Sequence, residues 1–305
     1  MRKIVLDCDY GYDDVVAMMI ACGSDKIDLK AITTVSGSGI IDKTVRNILN
    51  ICQKLDICVP VYAGSNRPLI RDIVYDDNII SEGSGLGGID LDSIARSKET
   101  EHAVVYICKM LMESEDTITL VMTGPLTNLA IALRLCPNIA DRIEEVVIMG
   151  GSTGRGNITP YAEYNIYSDA EAAKIVFSSG LKITLIGLNV TNRLLCTERV
   201  IERVSEKGNL AGELFEKMMS FYYRSEKEHF ESNGIVLHDP ITVAYLINDD
   251  VISTVPFGIE INTEQGELYG KTVYIQNSEY TVQVAVDVDT DKFWEIIENS
   301  LSNLE

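Results

Sequence analysis

The amino-acid sequence predicts an α/β fold: a mostly parallel, doubly wound (Rossmann-like) open sheet with a helical and β extension in the C-terminal third. Three observations carry the prediction. Apolar, β-rich runs alternate with helix-like segments as far as Thr197. Those runs are near-continuously apolar, as strands covered on both faces are. After Thr197 the pattern changes to long helical stretches followed by strand-like runs. No Pro- or Ser-rich linker and no internal repeat divides the chain, so 1–305 reads as a single domain.

In chain order, candidate strands are Ile4–Cys8, Leu29–Val35, Val59–Ala63, Ile118–Met122, Val146–Met149 and Ile183–Leu188. Between them fall helical stretches at Asp13–Cys22, Asp42–Leu55, Glu101–Glu113, Leu126–Leu135 and Ala170–Ser178. A long helix over roughly Leu210–Glu231 precedes another opening at Asp239-Pro240, where aspartate suits the cap and proline the first helical position. Strand-like runs at Val255–Ile261, Lys271–Gln276 and Thr281–Val286 and a last helix from Asp289 complete the chain. The stretch Arg71–Asp92, with Gly83, Gly85, Gly87 and Gly88, has the composition of a mobile active-site loop.

An apolar fraction of 46% is ample for a large core. A net charge of −20 excludes a general nucleic-acid or anionic-membrane surface, because both partners are polyanions. It suits a protein that handles small molecules and hosts a cation. The seven cysteines are scattered, without a CxxC pair or Cys/His ligand spacing, and read as free thiols in a reducing cytosol. The start, MRKIVLDCD, turns acidic too early for a signal peptide, and no window reaches the ~20 apolar residues of a membrane span. A cytoplasmic location is expected.

Ligands of open α/β sheets bind beyond the carboxyl ends of the strands. The unusual polar residues of this chain gather there. Asp7 and Asp9 follow the first strand, Thr33, Thr34, Ser36 and Ser38 the second, Thr123 the fourth, and Gly150 through Asn157 the fifth.

The first of these clusters, IVLDCDYGYDD, carries Asp7, Asp9, Asp13 and Asp14 with no base beside them. Acids in a first helical turn explain Asp13 and Asp14. They do not explain Asp7 and Asp9 on the same rim. An all-oxygen ligand set points to a hard cation such as Ca²⁺ or Mg²⁺ rather than zinc, and the spacing is not that of an EF-hand. In VLHDPITVAYLI, His238 is one of three histidines and adjoins Asp239, a carboxylate able to join the set from a distant point of the chain. In GGSTGRGNITPYAEYNI, Asn157, Glu163 and Asn165 offer donors and acceptors together, as a pocket reading sugar hydroxyls needs.

In order, the chain contains D-x-D-x-G-x-D-D, AITTVSGS, VMTGPLTNLA, EEVVIMGG, GN…AEYNI, DAEAA and HDP. Together they resemble the inosine–uridine-preferring nucleoside hydrolases, from Lys3 to the closing FWEII. The resemblance implies calcium-dependent hydrolysis of the N-glycosidic bond of ribonucleosides. It implies Asp9 as general base and metal ligand, Asp14, Asp239 and the Thr123 carbonyl as further ligands, and Asp7 as a supporting acid. Asp13, Asn157, Glu163 and Asn165 match ribose-binding groups, and His238 the histidine beside the base, a candidate to protonate or hydrogen-bond the leaving group. A homo-oligomer, dimer or tetramer, is expected.

Three positions depart from the family pattern. Tyr10 stands in place of proline, Ser38 in place of an asparagine, and Ser81 in place of a histidine of the base pocket. Tyr222, Tyr223, Glu226, His229 and Phe230 could face the base. With His238 the one obvious acid, a pyrimidine or broad (uridine, inosine) preference is expected over strict adenosine selectivity. Two other readings stand beside this one. A non-catalytic nucleoside-binding protein of the same fold would share the pocket. A haloacid-dehalogenase-type phosphatase would share the strand and D-x-D, with Asp249-Asp250 as its late acidic pair.

Overall fold

The computed structural model describes residues 1–304 except 10, 38, 75–85, 88, 90–93, 207 and 231–232; of 226 and 228–230 it describes the backbone only. The first half runs β1 (Arg2–Cys8), α1 (Tyr12–Gly23), β2 (Ile27–Thr34), α2 (Ile41–Lys54), β3 (Val61–Ala63), α3 (Ala103–Glu113), β4 (Ile118–Met122), α4 (Thr127–Leu135) and β5 (Ile143–Met149). Next come α5 (Tyr164–Ser168), α6 (Ala170–Phe177), β6 (Ile183–Ile186), α7 (Leu188–Thr191), β7 (Leu195–Cys196), α8 (Glu198–Ser205) and α9 (Leu210–Phe230). The chain closes with β8 (Ile235–Val236), α10 (Pro240–Ile247), β9 (Ile252–Ile261), β10 (Thr272–Ile275), β11 (Val282–Val288) and α11 (Thr290–Ser302).

A nine-stranded sheet has the order β10-β9-β11-β6-β5-β4-β1-β2-β3. From β11 to β3 every neighbouring pair is parallel, while β9 is antiparallel to both β11 and β10. The late strands therefore extend the parallel sheet at one edge. The central strand β4 is buried along its whole length, which is why its sequence, ITLVM, does not alternate. One face of the sheet is covered by α1, α2, α8, α9, α10 and α11, whose apolar side chains join one core cluster. The other carries α3, α4 and α6 over a second cluster. The fold is doubly wound, as expected.

Several boundaries differ from the sequence reading; β5, for one, starts three residues early, at Ile143. The sixth strand ends at Ile186, because Gly187 caps the short helix α7 and turns Leu188 into it. β9 starts three residues early, at Ile252, where it pairs with Val288. The helix α8 forms behind an unexpected cap, with the Thr197 hydroxyl accepting from the Val200 N–H.

Candidate active site

β1 and β4 are neighbours whose onward connections run to opposite sides, and the crevice beyond their carboxyl ends is the switch point of the sheet. Asp7 lies at the end of β1, Asp9 just past it, and Thr123 just past β4. The Thr123 N–H donates to the Asp7 carbonyl at 2.9 Å, extending the β1–β4 ladder. Its hydroxyl donates to Asp14 Oδ1 at 2.6 Å, while the Gly11 N–H donates to Asp14 Oδ2 at 2.8 Å. Asp14 is thereby fixed at the buried start of α1.

Asp9 reaches this crevice because two glycines make room. A Cβ on Gly37 would stand 1.9 Å from Asp9 Oδ2, and one on Gly124 would stand 3.0 Å from the Asp9 Cβ. Asp13, in the first turn of α1, accepts from the His238 N–H at 3.3 Å, and Asp239 stands at the N-cap position of α10 without a side-chain capping bond. Ligand oxygens of Asp13, Asp14 and Asp239 all lie within 4.8 Å of one another. The structure thus brings the distant Asp239 to Asp13 and Asp14 in the first turn of α1.

Burial, with the charge of Asp9 adding, raises the carboxyl of Asp13 to about 6, and burial with the neighbouring aspartates raises those of Asp14 and Asp239 well above the usual range. Among the described residues no lysine or arginine acts on any of these three. Uncompensated, converging, all-oxygen donors are what a hard divalent cation requires, so this cluster could hold a metal ion. Asp7 stands apart. Its Oδ1 accepts from the hydroxyl of Thr33 and, at 2.8 Å, from Asn128 Nδ2, which ties β1 to β2 and α4. Its carboxyl is raised to about 6, first by burial.

The sugar-reading candidates sit around one short helix. Glu163 caps α5, its Oε1 accepting from the Asn165 N–H and its Oε2 from the N–H groups of Gly151 and Ile166. Burial nonetheless raises this carboxyl to about 7. Asn165 Nδ2 donates to the Thr123 carbonyl at 2.8 Å and to the Met149 carbonyl at 3.2 Å. Asn157 Oδ1 accepts from the Tyr164 N–H at 2.8 Å, bracing the same loop. Glu163 also feels the charge of Asp9, so this group borders the aspartates.

His238 directly precedes Asp239 and borders the aspartate cluster through its N–H. Its Nδ1 is 2.7 Å from the Thr191 hydroxyl, and burial lowers its pKa to about 4. Tyr222, on α9, packs against Tyr12 with ring centroids 3.9 Å apart, and the Tyr12 hydroxyl reaches the Val236 carbonyl. Tyr10, Ser38, Ser81 and much of the glycine-rich loop lie outside the described residues, as do the side chains of Glu226, His229 and Phe230. Gly87 of that loop is described: a Cβ there would collide with the Phe221 ring, so the loop backbone rests on α9.

Sequence reasoning missed Tyr12, Asn128 and Thr191. Tyr12 stood inside the quoted acidic stretch, and its ring was the available signal. Thr191 and Asn128 gain their partners from residues 47 and 121 positions away, and nothing local marks them.

The model of the family described as inosine-uridine preferring nucleoside hydrolase matches residues 4–295. The chain belongs to this family. A pyrimidine-specific ribonucleoside hydrolase RihB of Escherichia coli is 44% identical over 301 residues, 97% of this chain and 96% of that protein. The solved structure of a purine-preferring ribonucleoside hydrolase from Gardnerella vaginalis superposes with a TM-score of 0.92 at 32% identity, covering 99% of this chain and 98% of that one. An inosine-uridine preferring nucleoside hydrolase structure from Bacillus anthracis, at 21% identity and a TM-score of 0.86 over both whole chains, shares the fold. This chain is a nucleoside hydrolase, and the phosphatase reading falls. Its late pair is misplaced as well, since Asp249 lines a surface pocket with Met1, Arg2 and Thr117 at the amino ends of the strands.

Proposed function

We propose that this nucleoside hydrolase cleaves the N-glycosidic bond of ribonucleosides to free base and ribose, with a pyrimidine or broad uridine and inosine preference, using Ca²⁺ in the acidic crevice. The observation that carries the proposal is the Asp13–Asp14–Asp239 cluster beside Asp9, with Asp14 and Asp239 buried, uncompensated among the described residues at the switch point of the sheet. The 44% identity to a protein named pyrimidine-specific supports the base preference.

Asp9, Asp14, Asp239 and the Thr123 carbonyl would hold the ion, with Asp13 close enough to share in it. Bound there, calcium would orient and polarise the attacking water and a ribose diol; as a weak Lewis acid it leaves the proton for a carboxylate to take. Asp9 takes that proton as general base. Asn165 holds the Thr123 carbonyl in place through its amide N–H. The acids around the sugar stabilise the positive charge that builds on C1′ as the bond to the base breaks. Asp13, Asn157, Glu163 and Asn165 read the ribose hydroxyls, and His238 attends the leaving base.

Cytoplasmic location and a homo-oligomeric state belong to the same proposal. Seven free cysteines support the first, and sedimentation equilibrium tests the second. The decisive experiment is chromatography of base released from a panel of ribonucleosides, with and without a calcium chelator. Release from uridine that the chelator abolishes and calcium restores is expected. Full turnover by the chelated protein would refute the metal assignment, and cleavage confined to adenosine would refute the base preference.

A further inference from the structure

Thr191 ends α7, is fully buried, and directs its hydroxyl at His238 Nδ1 from 2.7 Å. Its own backbone is already engaged, the N–H with the Gly187 carbonyl and the carbonyl with the Leu194 N–H. Two residues earlier, Asn189 Nδ2 bonds the Ala285 carbonyl at 2.8 Å, which pins this short helix to β11. Thr191 is therefore a fixed mount behind the histidine.

The contact can be shared in two ways. If Nδ1–H donated to the hydroxyl oxygen, the hydroxyl proton would need an acceptor of its own. No second partner for this hydroxyl exists among the described residues, and its burial denies it water. Buried donors are rarely left so. If the hydroxyl donates to Nδ1, both atoms of this contact are satisfied, and the ring carries its proton on Nε2. The ring is half-buried, with Nε2 meeting no partner among the described residues, and Asp239 and Asp13 flank the histidine backbone.

We propose that Thr191 is a positioning residue that locks His238 as the neutral Nε2–H tautomer, so that the histidine offers the departing base a hydrogen-bond donor. The catalytic half of this proposal rests on the function proposed above. When the C1′–N bond breaks, its electron pair goes to the base nitrogen, and in a pyrimidine the charge spreads onto the ring carbonyl oxygens. An Nε2–H stabilises that charge by hydrogen bonding. It does not surrender its proton, because a ring already accepting at Nδ1 would be left as an imidazolate. The attacking water bonds to C1′ and gives its proton to Asp9, and the released base takes a proton from solvent.

The test compares Thr191→Val, which removes the hydroxyl at similar volume, with Thr191→Ser, which keeps it. Nitrogen-15 spectra of protein labelled at its histidines, with the His238 signals identified by their loss in His238→Asn, report the tautomer without any reaction. Wild type and Thr191→Ser should show Nε2–H, and Thr191→Val a mixture of both tautomers. In kinetics, Thr191→Val should lower kcat/KM for uridine by ~10-fold or more while p-nitrophenyl riboside, whose leaving group needs no donor, changes by less than ~2-fold. Thr191→Ser should retain the wild-type rate on uridine. An Nδ1–H tautomer in wild type, an unchanged tautomer in Thr191→Val, or equal loss on both ribosides would overturn the proposal. If wild type cleaved neither riboside, the functional reading would fail while the spectra still decided what Thr191 does.

Discussion

Two buried acids at opposite rims of the same sheet are treated in opposite ways. Glu145, near the amino end of β5, is 2% exposed; its Oε1 accepts from the Thr184 and Tyr245 hydroxyls and its Oε2 faces Lys182 Nζ at 3.4 Å. Asp14, at the carboxyl rim, also accepts from two donors, but both are neutral, and the charges acting on it are those of Asp9 and Asp13. Burial and hydrogen bonding are common to both acids. The difference is the cation. Where the chain supplies one, the acid knits strands together; where it supplies only more acids, the fold leaves a place for a cation from outside.

If the carboxyl rim is built around a metal and a diol, removing one hydroxyl of the diol should have the largest effect of any single change. Asp13, Asn157, Glu163 and Asn165 would face a 2′-deoxyribose with polar groups unsatisfied, and sites built to bond a hydroxyl can reject the analogue lacking it by ~10⁴–10⁵. Uridine should therefore exceed 2′-deoxyuridine in kcat/KM by several orders of magnitude. Comparable values would remove the diol from the account of this rim.

Asp9→Asn should come next. It keeps the volume that Gly37 and Gly124 accommodate but loses the base, so kcat for uridine should fall by ~10²–10⁴ with the fold unchanged. Calcium occupancy, measured alongside by isothermal titration, separates a lost base from a lost ligand. A variant with near-native kcat would show that Asp9 is not the base.

The strands and the acid cluster were legible in the sequence for a physical reason. β4 throughout, β1 over Ile4–Leu6 and β5 over Val146–Met149 are buried on both faces, so each of these stretches is a continuous apolar run that needs no partner to be recognised. The aspartates stand out because crowding of like charge is visible within one turn. The two-residue strands β7 and β8 and the short helices α5 and α7 were not legible, since four or five residues cannot display a period. Thr191 was hidden differently. Its role is created by a contact that only the folded chain makes, with a histidine 47 residues on.

The comparison of rims also predicts stabilities of opposite sign. Glu145→Gln should destabilise the protein by ~1–3 kcal/mol, because Lys182 and two hydroxyls lose a charged acceptor. In chelated protein, Asp239→Asn should stabilise by about 1 kcal/mol, because one of several crowded carboxylates becomes neutral. Urea midpoints at pH 8 would read both, and added calcium should abolish the gain from Asp239→Asn only. Shifts of the same sign would mean that the two rims do not differ in the way their contacts indicate.

Glu163 sharpens the contrast because it is stabilised by neither a side-chain cation nor the proposed ligand set. Three backbone N–H groups favour its charged form, yet burial outweighs them and its pKa rises from 4.5 to about 7. The sign follows from linkage. The folded protein binds this proton more tightly than the unfolded chain, so the contribution is fully present below about 4.5 and is lost as pH rises through about 7. Asp7 and Asp13, raised in the same direction, contribute equally to wild type and to a Glu163→Gln variant. The difference between the two proteins isolates Glu163. In chelated protein, the melting temperature of wild type should fall more between pH 5 and pH 8 than that of Glu163→Gln, by roughly 1.5–3 °C, the shift that 1–2 kcal/mol produces in a domain of this size. Parallel curves would place the Glu163 carboxyl at its ordinary pKa, with its three backbone bonds offsetting burial in full.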